Sequence, residues 1–221
     1  MTTETAVRFS QNLEQDFIVR AFSTPWKSSH DFGGLIQAQH DAKFLDVGAY
    51  HPFLNSNTRA LYELGWSGVM CEPSPKPFAA LEAEYKDDPR ITLLNKAVWL
   101  DNAPFEMWLS DSQMSTADEA TFQKWRATEK YRLKQRVETI WLDDLYKDYG
   151  PFDFVNIDAE GLSYQLFIHG IARLPENWLP HCICVEFDSD KNLLEILKRA
   201  TGELGYACTY ASGENVVLVK Q

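Results

Sequence analysis

The chain has 221 residues, long enough for one α/β domain with a substantial core and too short to suggest two full domains. Its 32 acidic and 21 basic side chains leave a net charge of −11, which nucleic-acid phosphates repel, so nucleic acid is not an expected partner. No stretch approaches the roughly 18 apolar residues of a membrane span, and Met1-Thr2-Thr3-Glu4-Thr5 does not open a signal peptide, so the expectation is a cytoplasmic protein without a membrane partner.

In chain order, Asn12 to Phe22 carries Leu13, Phe17, Ile18 and Ala21 at helical spacing, with Asn12 and Gln15 as a capping pair. Residues 1–40 thus read as an N-terminal helical extension, and Ser23 to Gly34, rich in Ser, Pro and Gly, as a connection able to pass near a ligand. Phe44 to Val47 is the first strand and Thr58 to Leu64 a helix; Gly68 to Cys71 is the second strand and Pro77 to Tyr85 the next helix. Ile91 to Leu94 is a third strand, after which Lys96 to Leu100 and Phe105 to Leu109 predict a hairpin about Asp101-Asn102.

A helical stretch from Ala117 to Gln135 interrupts the alternation, which makes residues 110–136 an insertion of the kind that forms a lid or substrate wall. Its basic residues, from Lys124 to Arg136, read as a solvated helix face. Val137 to Trp141 is extended, Leu142 to Lys147 a short helix, Phe152 to Ile157 and Cys182 to Phe187 apolar strands. The helix Asn192 to Leu204 sets Leu193, Leu194, Leu197 and Leu204 on one side, and Tyr206 to Tyr210 with Val216 to Val219 closes the chain as a hairpin. The sum is one α/β domain, 1–221, with an open, mostly parallel sheet.

Cys71, Cys182, Cys184 and Cys208 form no C-x-x-C pair and read as buried free thiols. Neighbours on one strand alternate sides, which disfavours a zinc site from His181, Cys182 and Cys184, and no residue is assigned as a metal ligand.

The chemistry concentrates between Lys43 and Pro75. One strand runs into Asp46-Val47-Gly48-Ala49-Tyr50 and the next into Glu72-Pro73-Ser74-Pro75. Parallel sheets bind ligands at the carboxyl ends of their strands. There Gly48 permits a sharp turn against a ligand and Glu72 offers two oxygens to a ribose diol. The 26 residues from Asp46 to Glu72 are close to the roughly 20-residue spacing of a dinucleotide fingerprint, but the G-x-G-x-x-G is missing. Tyr50, His51, Pro52 and Phe53 would obstruct a pyrophosphate yet can line an adenosine without phosphates, as in S-adenosylmethionine. The bland alternative is a tight βα turn beside a surface glutamate.

These residues, with Ser10-Gln11, Gln15-Asp16, Ser56-Asn57-Thr58, Gly65-Trp66-Ser67-Gly68-Val69, Asn95-Lys96-Ala97-Val98 and Val155-Asn156-Ile157-Asp158-Ala159-Glu160-Gly161, resemble the FkbM-type S-adenosylmethionine-dependent methyltransferases across most of the chain. The resemblance implies a Rossmann-like methyltransferase fold: a mostly parallel seven-stranded sheet, helices on both faces and a C-terminal antiparallel hairpin. One departure stands out, since many members carry a further acid after that glycine where this chain has Leu162-Ser163-Tyr164. No role of that acid carries over.

The implied cofactor is S-adenosylmethionine, held by Asp46, Gly48, Ala49, Tyr50, Glu72, Pro73 and Asp158, with Asn95 and Ala97 flanking the adenine. The implied acceptor is a hydroxyl on a sugar or other small metabolite. Methyl transfer to a hydroxyl needs a positioned oxygen and a base. Asp158 is the candidate to hold that hydroxyl or a divalent metal; Glu160 is the candidate base or second ligand. His51 is a further candidate base, and Glu186 either faces the acceptor or caps a loop. As helix N-terminal charges, Asp158 and Glu160 would need no catalytic role. A cofactor-binding module without turnover and a nucleotide-dependent oxidoreductase are the alternatives. Oligomeric state is not legible.

Overall fold

A computed structural model describes residues 7–23 and 42–221. Seven strands form the main sheet: β1 (Lys43–Val47), β2 (Ser67–Cys71), β3 (Ile91–Leu94), β8 (Phe154–Ile157), β9 (Cys182–Glu186), β10 (Tyr206–Ala211) and β11 (Asn215–Lys220). Their order is β10-β11-β9-β8-β1-β2-β3. The five strands from β9 to β3 run parallel; β11 lies antiparallel to β9, and β10 antiparallel to β11. The order reverses at β1, and this switch point is where such sheets open a crevice.

Alternation along the strands divides the core in two. Phe44, Met70, Phe154, Cys184 and Val217 face one layer with Ile18 of α1 (Glu14–Ala21), Leu61 of α2 (Arg59–Glu63) and Leu81 and Tyr85 of α3 (Pro75–Tyr85). Leu45, Val69, Val155, Ile183 and Val216 face the other. There they meet Leu145 of α5 (Leu142–Tyr149), Leu166 and Phe167 of α6 (Ser163–His169), and Ile196 and Ala200 of α7 (Asp190–Glu203). Helices thus cover both faces, as a buried parallel sheet requires.

The segment between β3 and α5 departs from the sequence reading. The hairpin about Asp101-Asn102 does not form: β4 (Ala97–Trp99) pairs in parallel with β7 (Thr139–Trp141), and β5 (Phe105–Ser110) pairs antiparallel with β6 (Tyr131–Val137). The expected helix over Ala117–Gln135 contracts to α4 (Glu119–Trp125). Cross-strand partners explain the change: Glu106 sits opposite Arg136, and Lys134 Nζ lies 4.0 Å from the Trp108 ring centroid. The basic run is divided among α4, the connection after it and β6 and forms no single helix face.

Smaller corrections have equally local causes. The N-terminal helix is entered through Ser10 and Gln15, not Asn12 and Gln15: Gln15 N–H donates to Ser10 Oγ at 3.2 Å and Phe9 N–H to Gln15 Oε1 at 2.8 Å. On α7 the buried line is Ile196 and Ala200, and Leu194 is exposed. Cys71, Cys182 and Cys184 are buried free thiols, whereas Cys208 is exposed. Of the Ser23–Gly34 connection, residues 24–34 lie outside the described residues.

Candidate functional site

The site is built over the carboxyl ends of β1, β2, β8 and β9. After β1 the chain turns through Gly48 at φ +81°, and the Gly48 and Ala49 N–H groups both donate to the Cys71 carbonyl at 3.0 and 3.1 Å. Tyr50 follows at φ +47°, a conformation that side chains rarely adopt, and its N–H donates to Glu72 Oε2 at 3.0 Å. Ser74 N–H donates to Glu72 Oε1 at 2.7 Å. Each oxygen of this carboxylate thus holds one backbone amide and keeps a lone pair for a ligand hydroxyl. Burial pushes the Glu72 carboxyl up to about 7 against the lowering effect of the Ser74 amide and hydroxyl and the Tyr50 amide.

Gly48, Tyr50, Glu72, Pro73 and Ala97 line one narrow cleft, closed by Phe105 and Met107 and reaching Asp158 and Glu160. Its volume is about 60 Å³, below the ~300 Å³ of a typical ligand pocket.

Four other expected residues take supporting positions. Asp46 faces the α2 layer and accepts from Thr58 Oγ1 at 2.5 Å and Asn156 Nδ2 at 2.9 Å. Asn57 Nδ2 extends this buried network by donating to Asn156 Oδ1 at 3.0 Å. Burial raises the Asp46 carboxyl despite its two donors. Ala49 is buried in the core on the same side. Asn95 Nδ2 donates to the Glu72 and Pro73 carbonyls at 2.8 and 3.3 Å, and so ties the end of β3 to the turn after β2.

His51 is committed to its own turn. Its Nδ1 accepts from the Phe53 and Leu54 N–H groups at 3.1 and 3.2 Å, and the residue lines neither the cleft nor the cavity described next. The ring acts as a cap, because its acceptor nitrogen is spent on backbone amides that the turn leaves unpaired.

A second cavity of about 760 Å³ adjoins the cleft, and Asp158, Glu160 and Gln113 line both. The β8–α6 turn that presents the two acids is held closely. Asp158 N–H donates to the Val47 carbonyl at 2.9 Å, and Thr116 Oγ1 donates to the Glu160 carbonyl at 2.6 Å. Gly161, at φ +91°, has no room for a side chain: a β-carbon there would come within 2.5 Å of Thr121 Oγ1. The turn is thereby packed against α4.

Asp158, Glu160 and Glu186 each bring a carboxylate oxygen to within 4.8 Å of the others. Burial, followed by like charge from Glu186, Asp188 and Glu214, pushes Glu160 up to about 9. Burial and then Glu160 raise Asp158, and burial and then Asp158 raise Glu186. Ser163 bridges the group, since its Oγ accepts from Ala159 N–H at 2.8 Å and donates to Glu186 Oε2 at 3.0 Å. Ser163 thereby secures an acid from β9 against the turn after β8. An acid closing a parallel strand is the signal that singles out Glu186.

The family model of the Methyltransferase FkbM domain matches residues 46–207. No curated protein matches the chain. Among solved structures, methyltransferase FkbM from Methylobacillus flagellatus KT is similar with a TM-score of 0.55 at 13% identity, covering 98% of this chain and 57% of that one. Precorrin-6y C5,15-methyltransferase from Geobacter metallireducens GS-15 gives a TM-score of 0.49 at 12% identity, with 100% and 93% covered.

Proposed function

Because the chain belongs to the FkbM methyltransferase family over residues 46–207, we propose that it moves the methyl group of S-adenosylmethionine to a hydroxyl oxygen of a small acceptor, a sugar or similar metabolite. The observation that carries this reading is the position of Asp158 and Glu160, which line both the narrow cleft and the wide cavity. A methyl donor in the cleft and an acceptor in the cavity would meet at these two carboxylates.

The residues of the cleft fit an adenosine. Glu72 has lone pairs left for both ribose hydroxyls, the Gly48 turn presents backbone, and Tyr50, Ala97 and Val98 supply apolar walls. The bound sulfonium supplies the methyl group. Asp158 would hold the acceptor hydroxyl in line, and Glu160 would take up its proton when ionised, a form that burial and neighbouring like charge disfavour below about pH 9. The chain is read as cytoplasmic, without nucleic-acid or membrane partners. Supporting this are the net charge of −11 and the lack, among the described residues, of a helix long and apolar enough to cross a membrane.

Calorimetric titration with S-adenosylhomocysteine, with NAD and NADP as controls, tests the donor site. Binding of the homocysteine compound alone, weakened in Glu72→Ala, is the expected result; no binding to the intact chain overturns the reading. Asp158→Asn and Glu160→Gln should keep that binding and lose turnover on hydroxylated acceptors. Full activity in both variants would remove them from the chemistry.

A further inference from the structure

Among the described residues, the narrow cleft and the wide cavity have Gln113, Asp158 and Glu160 in common. A methyl group crossing from one space to the other passes where these three meet. Two are acids, which only accept hydrogen bonds when ionised; Gln113 brings an amide.

Gln113 sits in the loop between β5 and α4, and that loop is held from several sides. Ser110 N–H donates to Ser115 Oγ at 2.8 Å, Ser112 N–H to Ser110 Oγ at 3.1 Å and Met114 N–H to Ser112 Oγ at 3.2 Å. Ser74 Oγ donates to Ser115 Oγ at 2.7 Å and ties the loop to the turn after β2. Asn55 Nδ2 donates to Gln113 Oε1 at 2.6 Å and ties it to the turn after β1. Asn55 stands at φ +56°, a left-handed position that asparagine tolerates better than most side chains. With its oxygen engaged by Asn55, Gln113 keeps Nε2 and its two N–H groups as donors. The reverse arrangement would bring a third acceptor to a junction shared with two carboxylates.

A reacting hydroxyl has a use for such a donor. Its oxygen carries one bond to carbon, one to hydrogen and two lone pairs. In methyl transfer one pair attacks the sulfonium methyl, the carbon–sulfur bond breaks with its electrons kept by sulfur, and the proton passes to ionised Glu160. The other pair is free to accept from an N–H, which offsets the charge left on oxygen as its proton leaves. An amine nitrogen has a single lone pair, and that pair must attack. It has nothing left to accept with, so an N–H facing it goes unpaired, and unpaired polar groups in a site reject a substrate strongly.

We propose that Gln113 selects oxygen over nitrogen in the acceptor: its Nε2 donates to the spare lone pair of the hydroxyl that receives the methyl group. This inference rests on the methyl-transfer reading and adds to it the residue that enforces the class of atom modified.

The test uses the full chain, S-adenosylmethionine tritiated in its methyl group, and a panel of pentoses, hexoses and inositols. Each is set beside the counterpart carrying an amine in place of one hydroxyl, and mass spectrometry reads which atom is methylated. Gln113→Glu keeps an oxygen for Asn55 and replaces both N–H donors by an acceptor. Its kcat/KM on hydroxyls should fall about tenfold to a hundredfold while S-adenosylhomocysteine affinity holds within about twofold, and the ratio of nitrogen to oxygen methylation should rise. Should Gln113→Glu not fold, Gln113→Met, with neither N–H nor charge, should lose the same rate on hydroxyls. An unchanged nitrogen-to-oxygen ratio in Gln113→Glu, or an undiminished rate in Gln113→Met, overturns the assignment and leaves the transfer reading standing. A loss of S-adenosylhomocysteine affinity that matches the loss of rate would put Gln113 on the donor side and overturns it too. An intact chain that binds S-adenosylhomocysteine yet methylates no hydroxyl of the panel overturns transfer to hydroxyls, and this inference with it.

Discussion

The carbonyl oxygen of Asp158 lies 1.8 Å from where a β-carbon on residue 48 would stand. The turn after β1 and the turn after β8 are thus in contact through backbone, with no side chain between them. Gly48→Ala would force the two apart and also strain a backbone at φ +81°. The strain alone costs about 1–3 kcal/mol. A lowered urea midpoint together with weakened S-adenosylhomocysteine binding is the expected outcome, and an unchanged midpoint would contradict it.

Glu72 gives a pH dependence with a definite sign. Its pKa rises on folding from an ordinary glutamate value to about 7, so between these limits the folded chain holds a proton that the unfolded chain has released. Its contribution to stability is therefore present at acid pH and is lost as the pH climbs to about 7. Binding moves the opposite way. Only the ionised carboxylate accepts from two ribose hydroxyls while keeping its backbone amides, so S-adenosylhomocysteine affinity should increase as the pH passes 7. Titrations from pH 5.5 to 8.5 on the intact chain and Glu72→Gln check this, with the variant losing the slope.

Thr58→Val removes the 2.5 Å hydrogen bond to Asp46 and leaves a buried carboxylate with one donor. A loss of about 1–3 kcal/mol is expected from denaturant unfolding. Asn156→Leu breaks the bond to Asp46 and the bond from Asn57 together, and should cost more.

Ser163→Ala withdraws the bridge between the Ala159 amide and Glu186. Stability should fall by about 1–2 kcal/mol, and turnover should drop with S-adenosylhomocysteine affinity unchanged. Ser163→Thr, which keeps the hydroxyl, should recover part of the rate.

Phe122 of α4 stacks on Trp108 of β5, with ring centroids 4.3 Å apart. Phe122→Ala frees the helix that packs against Gly161 and lines the wide cavity. Steady-state kinetics should show a raised acceptor KM with little change in donor affinity. A matched change in both constants would tie α4 to the donor side as well.

Most of the sheet was legible because its strands are short apolar runs, and Gly48 and Glu72 because a residue closing a parallel strand has few places to be. Partners joined by folding alone were not. Asp46 reads as a ligand residue until α2 docks and delivers Thr58; Glu186 meets Ser163 across 23 positions. Tyr131 to Val137 misleads for another reason. Lys and Arg are good helix formers, and the opposing Glu106 and Trp108 that draw this stretch into a strand lie more than twenty residues upstream.

The β5–β6 ribbon has no strand pairing with the seven-stranded sheet, yet β5 and the loop after it supply Met107, Ser112 and Gln113 to the narrow cleft, and the α4 region between its strands supplies Asp118, Thr121 and Trp125 to the wide cavity. One antiparallel ribbon therefore contributes walls to both spaces, so a substitution on β5 or α4 can reshape either of them without removing a hydrogen bond from the main sheet's ladder.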